Sequence, residues 1–495
     1  MIRLWQALGL NAGTKASSDE PVIGMDSPIY LRVNGLASLI IWPFSIALAF
    51  FVCQPWAPDV FGVPIQVILV WSCFLWVIMF HPSSLVRTGM IFSPFQWILI
   101  SLLVGSAFLR AYLDGWQAIR LIQICTGLMI AVLGSMIFRT RRGRRAMFGT
   151  LALSAVASSS FAIMQYIDFA PWLWELTRYS QVGSYVYGST GMEGTPVSFS
   201  FSVLGIGVVL ASSWLLFNYE SVKLLFLPTG IQFLCCAIIA AGLLFSKSRS
   251  GLLGFTVGVV VILLITSTAF LRERRQMTSD DPSESRGKRT RRGPLRSVIR
   301  FIILVSLTGA IVCTGISQEE VFSDMRILTN WKAYLPIVLT HPVGLPGNID
   351  LTETLGQINT NDSIQQMERS SSRVLAPHNI ILSTGITLGP LAAAALVALY
   401  GSCLIMGIRG LRAFRSAGHK GEAFWISVFL AVNIAIITHS WFHNASIAMG
   451  EMRNWLWVGL LQTVVTHRIC NHDRRAGWHG TMERVPVHGP GGKSE

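Results

Sequence analysis

Charge is scarce in this sequence. Asp, Glu, Lys and Arg make up 13% of its 495 residues, against about a quarter in a soluble globular protein. Such a shortage excludes an ordinary soluble domain. Paired cysteines are missing too. The eight cysteines form no CxxC pair. Cys53, Cys73, Cys125, Cys235, Cys236, Cys313 and Cys403 lie in or beside apolar stretches, and Cys470 lies near the C-terminus. Neither a disulfide framework nor a zinc site is supported, and Cys235 and Cys236 read as packing residues. No Walker motif, GxGxxG loop or DxD motif in a supporting context occurs. ATP hydrolysis and cytoplasmic sugar-nucleotide transfer are therefore poorly supported. No internal repeat and no clear pair of broken helices is evident.

Long apolar runs are what the chain has in abundance. Hydrophobic residues reach 52% and the mean hydropathy is +0.53. About twelve candidate spans run roughly over 35–53, 62–80, 94–109, 117–138, 146–166, 197–217, 223–245, 250–271, 298–316, 379–406, 423–441 and 444–466. Most are long enough to cross a ~30 Å hydrocarbon core as helices. The first ~30 residues lack an apolar h-region, so the first span is expected to serve as signal anchor.

The net charge of +14 is unevenly placed. Loop 139–145, RTRRGRR, carries five arginines, and loop 272–297 carries nine Lys/Arg against four Asp/Glu. Loop 407–422 and the tail after 467 are basic as well. Twelve spans put all four on one side. Segments 54–61, without Lys or Arg, and 317–377, with four Lys/Arg against seven Asp/Glu, fall on the other. The positive-inside pattern then makes both termini cytoplasmic. Topology and lipid headgroups account for the basic loops better than nucleic acid does.

The expected organisation follows. Residues 1–34 form a cytoplasmic segment. Residues 35–316 hold spans one to nine, with a charged, Ser/Arg-rich loop near 272–297 expected to be disordered. Residues 317–377 form a large outer loop, 378–466 hold spans ten to twelve, and 467–495 form a cytoplasmic tail. In the outer loop Met325, Leu328, Trp331, Leu335 and Val338 recur at helical spacing. They predict an amphipathic helix at the membrane boundary, broken by GLPGN. The aromatic, glycine-rich stretch 167–196 reads as an interfacial belt or as sugar-stacking surface.

Candidate chemistry gathers at the outer edge. In SKSRSG, Lys247 and Arg249 interrupt two apolar runs on the side that should be poor in cations. Snorkelling to headgroups would suit Lys247. Arg249 suits a bidentate grip on phosphate, beside a helix expected to start at Ser250 and Gly251. Arg326 opens the amphipathic helix. His378 stands at the mouth of the tenth span, where a proton acceptor or an interfacial residue would both fit. His439 and His443 are four apart but lack the further ligands of a metal site. Glu451 and Arg453 open the last span and, being two apart, are expected to pair with other groups. Arg120 is a similar intramembrane charge.

Three stretches in order carry a family resemblance: SKSRSGLLG at 246–254, RILTNWKAYLPIVLTHPVGLPGN at 326–348 and PHNIILSTGITLG at 377–389. They resemble successive motifs of the bacterial O-antigen ligase and polymerase superfamily, over about residues 185 to 400. The resemblance implies an all-α polytopic inner-membrane protein of about twelve helices, GT-C-like, with a large, partly helical periplasmic loop. It implies a metal-independent glycosyltransferase without cofactor. Such an enzyme moves a glycan from undecaprenyl diphosphate to a sugar hydroxyl on a glycan or lipid-linked acceptor, inverting the anomeric centre. The family's catalytic positions fall on Arg249, Arg326 and His378, and Lys247, Ser250, Asn379, Trp331 and Arg453 are expected to add substrate contacts. An arginine of the family's glycine-rich stretch is absent from 184–199, with Arg178 lying upstream. Ligase and polymerase remain open, with a slight lean to polymerase. A multi-span transporter or flippase for lipid-linked glycan is the alternative. Its charges should sit at the bilayer midplane instead.

Overall fold

The structure is a computed structural model and describes residues 28–53, 59–60, 63–83, 85, 91–113, 118–167, 169, 196–215, 229–279, 334–346, 379–442 and 451–466. Arg326, Trp331 and His378 lie outside them. So do Arg178, His443, Cys313, Cys470, most of 167–196, the predicted span 298–316, both termini and most of loop 272–297.

The described chain is almost wholly helical. In order come α1 (Pro28–Val52), a two-residue hairpin of β1 (Asp59–Val60) and β2 (Val63–Pro64), α2 (Ile65–Phe80), α3 (Pro94–Leu113), α4 (Ala118–Phe138), α5 (Arg141–Tyr166), α6 (Pro196–Leu215), α7 (Thr229–Phe245) and α8 (Arg249–Ser279). Then follow α9 (334–340), α10 (Ile380–Leu388), α11 (Pro390–Ser416), α12 (Lys420–Trp441) and α13 (454–466). Among the described residues six helices are long and apolar enough to cross a membrane: α3, α4, α5, α6, α11 and α12. Apolar stretches of α1, α2, α7 and α8 are shorter. A polytopic membrane protein follows from this pattern.

Local sequence explains the helix starts. Ser93 and Gln96 form a reciprocal capping box ahead of Pro94: the Ser93 amide donates to Gln96 Oε1 at 2.9 Å, and the Gln96 amide to Ser93 Oγ at 3.2 Å. Thr140 caps α5 by accepting from the Gly143 amide at 3.0 Å. This cap corrects the expected loop 139–145, because Arg141 to Arg145 already belong to the first turns of α5. Hydropathy detects where the apolar core ends, whereas the helix runs on beyond it. For the same reason α8 extends to Ser279 and α11 to Ser416, into stretches expected to be loop.

Helix contacts depend on small residues, as they must where lipid offers no hydrophobic drive. Gly127 of α4 lies under the Trp455 ring, and Gly205 of α6 under Trp457; a Cβ at either would approach ring atoms to 2.0 and 2.5 Å. α5 packs on α1 and α7, and α8 packs between α6 and α12.

The two ends of the bundle differ. At one, Phe138, Phe148, Trp425 and Phe429 interlock, with Phe148 stacked on Trp425 at 5.6 Å between centroids. These rings hold the α4–α5 connection against the start of α12, so the arginines near 139–145 and those near 409–415 share this end. At the other, Gly251 of α8 sits over Ser200 of α6, and Gly254 over His439 of α12.

One predicted span is broken. The run 379–406 is not one helix: α10 ends and α11 begins at Gly389, with φ 90 and ψ 164. The left-handed φ suits glycine, and Pro390 lacks the amide a continuing helix needs.

Candidate functional site

The SKSRSG stretch makes the turn between α7 and α8, at the end remote from the ring cluster. Its serines face inward. Ser246 Oγ donates to the Leu243 carbonyl at 2.7 Å and accepts from the Ser248 amide at 3.3 Å. Ser248 Oγ in turn accepts from the Gly251 amide at 3.3 Å, capping α8. The helix thus begins at Arg249, one residue earlier than expected, and Ser250 sits half-buried in its first turn. With Ser246 and Ser248 buried, Lys247 and Arg249 are turned out and exposed. Lys247 takes φ 52, a left-handed conformation that no other described non-glycine residue adopts. It costs a side-chain-bearing residue roughly 1–2 kcal/mol. Two exposed cations therefore flank a helix N-terminus, whose dipole adds to their pull on an anion.

Arg453 lies at the same end but is buried. Its Nε donates to Glu451 Oε2 at 2.8 Å. Nη1 reaches the Phe51 carbonyl and Ser202 Oγ, and Nη2 donates to the Ser198 carbonyl at 3.3 Å. The expectation that Glu451 and Arg453 would not pair is corrected. Residues 451–453 form a turn ahead of α13, where the helical spacing rule does not apply. Arg453 joins the end of α1, the start of α6 and the start of α13. His439, also buried, lies against the Phe201 ring with centroids 3.8 Å apart. Arg120 Nη1 donates to Gln123 Oε1 at 3.0 Å, within its own helix.

Asn379 is buried and caps α10, its Oδ1 accepting from the Ile381 and Leu382 amides at 2.9 and 3.2 Å. The cap fixes where α10 starts. α9 packs on α10: Tyr334, Ile337, Val338 and Leu345 form a small core with Leu382 and Ile386. Of the expected amphipathic helix only 334–340 falls among the described residues: Val338 is buried on protein beside Tyr334 and Ile337, whereas Leu335, expected on the same face, is exposed. Burial pushes the Tyr334 phenol up to about 12. Of the expected site residues, Lys247, Arg249 and Ser250 come together on one turn, Asn379 and Arg453 anchor their helices, and Arg326, Trp331 and His378 lie outside the described residues. Sequence reading missed Arg110, a buried cation in the last turn of α3. A lone arginine in an apolar span was the available signal.

These features define a polytopic helical membrane protein with a cationic turn at the end opposite its basic connections. The family model described as O-Antigen ligase matches residues 234–397, from the middle of α7 into α11. Over that segment the chain is O-antigen ligase-like, as its three ordered motifs led one to expect. No curated protein matches the chain.

Proposed function

We propose that the protein is an inner-membrane glycosyltransferase of the O-antigen ligase or polymerase type. It takes a glycan from undecaprenyl diphosphate and transfers it to a sugar hydroxyl at the periplasmic face. The observation that carries this reading is the α7–α8 turn, where two buried serines force Lys247 and Arg249 outward beside a helix N-terminus. In the reaction the acceptor oxygen bonds to the anomeric carbon as the bond from that carbon to the diphosphate oxygen breaks. Negative charge builds on the leaving diphosphate. Arg249, Lys247, the α8 N-terminus and Arg326 stabilise it. His378 takes the proton from the acceptor hydroxyl. In this reading the cationic turn faces the periplasm and the basic connections face the cytoplasm.

The break at Gly389–Pro390 gives the transporter reading one specific observation, since discontinuous helices mark many transporters. Yet the broken point is covered by protein: a Cβ on Gly389 would lie 2.1 Å from the Pro342 carbonyl oxygen. That cover favours the enzyme reading. The test uses the native host with the chain deleted and restored as wild type, Arg249→Ala or His378→Ala. Glycans are sized on the carrier and at the cell surface. Each variant is expected to lower output roughly 10²–10³-fold. Single units left on the carrier with loss of long chains indicate a polymerase, and long carrier-linked chains without surface attachment indicate a ligase. Full output from both variants would refute the site.

A further inference from the structure

The short segment 341–346, HPVGLP, leaves α9 and presses on the elbow between α10 and α11. The Gly344 amide donates to the His341 carbonyl at 3.0 Å, and the Leu345 amide to the Ile386 carbonyl at 2.6 Å. The fit leaves no room for a side chain at position 344. Gly344 takes φ 78, and a Cβ there would stand 2.4 Å from the Thr387 carbonyl oxygen. One further contact comes from a distant helix. Arg110, 3% exposed in the last turn of α3, donates from Nη1 to the Gly344 carbonyl at 3.3 Å. A buried guanidinium in an apolar helix is costly to keep, and one aimed at a loop carbonyl 234 positions away marks that loop position as worth holding. α3 also packs on α10 and α11. Thus α3, the strap and the elbow close a ring of contacts around the start of α11.

We propose that Arg110 is a positioning residue: through Gly344 it clamps the strap, residues 341–346, onto the α10–α11 elbow, and so holds α10, which follows the proposed base His378 directly in the sequence. The proposal rests on the glycosyltransfer reading for its kinetic consequence but not for the clamp itself. Glycan-lipid turnover by the purified full chain in liposomes is compared for wild type, Arg110→Ala, Arg110→Lys and Gly344→Ala. Hydrogen exchange over 334–346 is followed in parallel. Arg110→Ala is expected to speed exchange at the Leu345 amide roughly 10- to 100-fold, the range one charged hydrogen bond supports. The kcat should fall by a similar factor with the donor KM unchanged, since the α7–α8 turn is untouched. Lysine should restore most of both, and Gly344→Ala should reproduce the alanine phenotype without removing a charge. Unchanged exchange in Arg110→Ala overturns the clamp. Faster exchange with wild-type kcat overturns the positioning role. A wild-type chain that transfers no glycan overturns the proposed reaction and leaves the clamp judged by exchange alone.

Discussion

Replacing Arg453 by Met leaves the Glu451 carboxylate buried without its cation. Both side chains are only 10% exposed, so solvent screens the pair little. Breaking a buried ion pair from one side costs about 3–5 kcal/mol, because a bare charge remains. The Phe51 carbonyl loses a donor as well, at about 1–3 kcal/mol for a group left unsatisfied, whereas the Ser198 carbonyl keeps the Ser202 hydroxyl at 2.8 Å. Replacing both residues by Met removes the stranded charge but not the stranded Phe51 carbonyl. The double variant is therefore expected to be no less stable than Arg453→Met alone, with a coupling energy of at least about 1 kcal/mol. The assay is the rate of thermal inactivation of the purified protein in one detergent at one ionic strength, read as a ratio of half-lives. Losses that simply add would refute the reasoning and mean that water reaches the pair.

Further outcomes follow from other parts of the molecule. Lys247→Gly relieves the left-handed strain and should stabilise the turn by about 1 kcal/mol while lowering glycan transfer, measured side by side as melting and turnover. Gly205→Leu would drive a side chain into the Trp457 ring, which a Cβ alone already meets at 2.5 Å; failure to accumulate folded protein in the membrane is the expected result, checked by size exclusion in detergent. Tyr334 titrates at about 12 when buried against an ordinary 10.0. Its contribution to holding α9 is thus complete below pH 10 and is lost as pH rises from 10 towards 12. Proteolysis of the strap should steepen over that window, and Tyr334→Phe should flatten the rise.

Much of the fold was legible because hydropathy and charge asymmetry are strong signals. The expected span 117–138 matches Ala118–Phe138, and the gathering of arginines at one end was readable from their loops. Helix ends outside the apolar core were not readable, since arginines at 141–145 continue a helix as readily as they leave it. The break at 389 was written in Gly-Pro, yet an unbroken apolar run masked it. Of the candidate site, the SKSRSG turn was recognisable from two cations between apolar runs. Its geometry was not, because the inward facing of Ser246 and Ser248 comes from hydrogen bonds that spacing alone does not dictate. Glu451 and Arg453 were misread because a helical rule was applied to a turn.

The two ends of the bundle are fastened by different means, and this gives the molecule a mechanical polarity. Interlocked aromatic rings hold the basic end through many weak contacts spread over large faces, indifferent to pH and salt. The opposite end is stitched by a few directional bonds converging on Arg453, Ser248 and Gly344. Directional bonds fail abruptly once stretched, whereas ring faces slide. Pulled apart along its axis, the bundle should part first at the stitched end, with the α4–α5 and α11–α12 connections serving as its hinge.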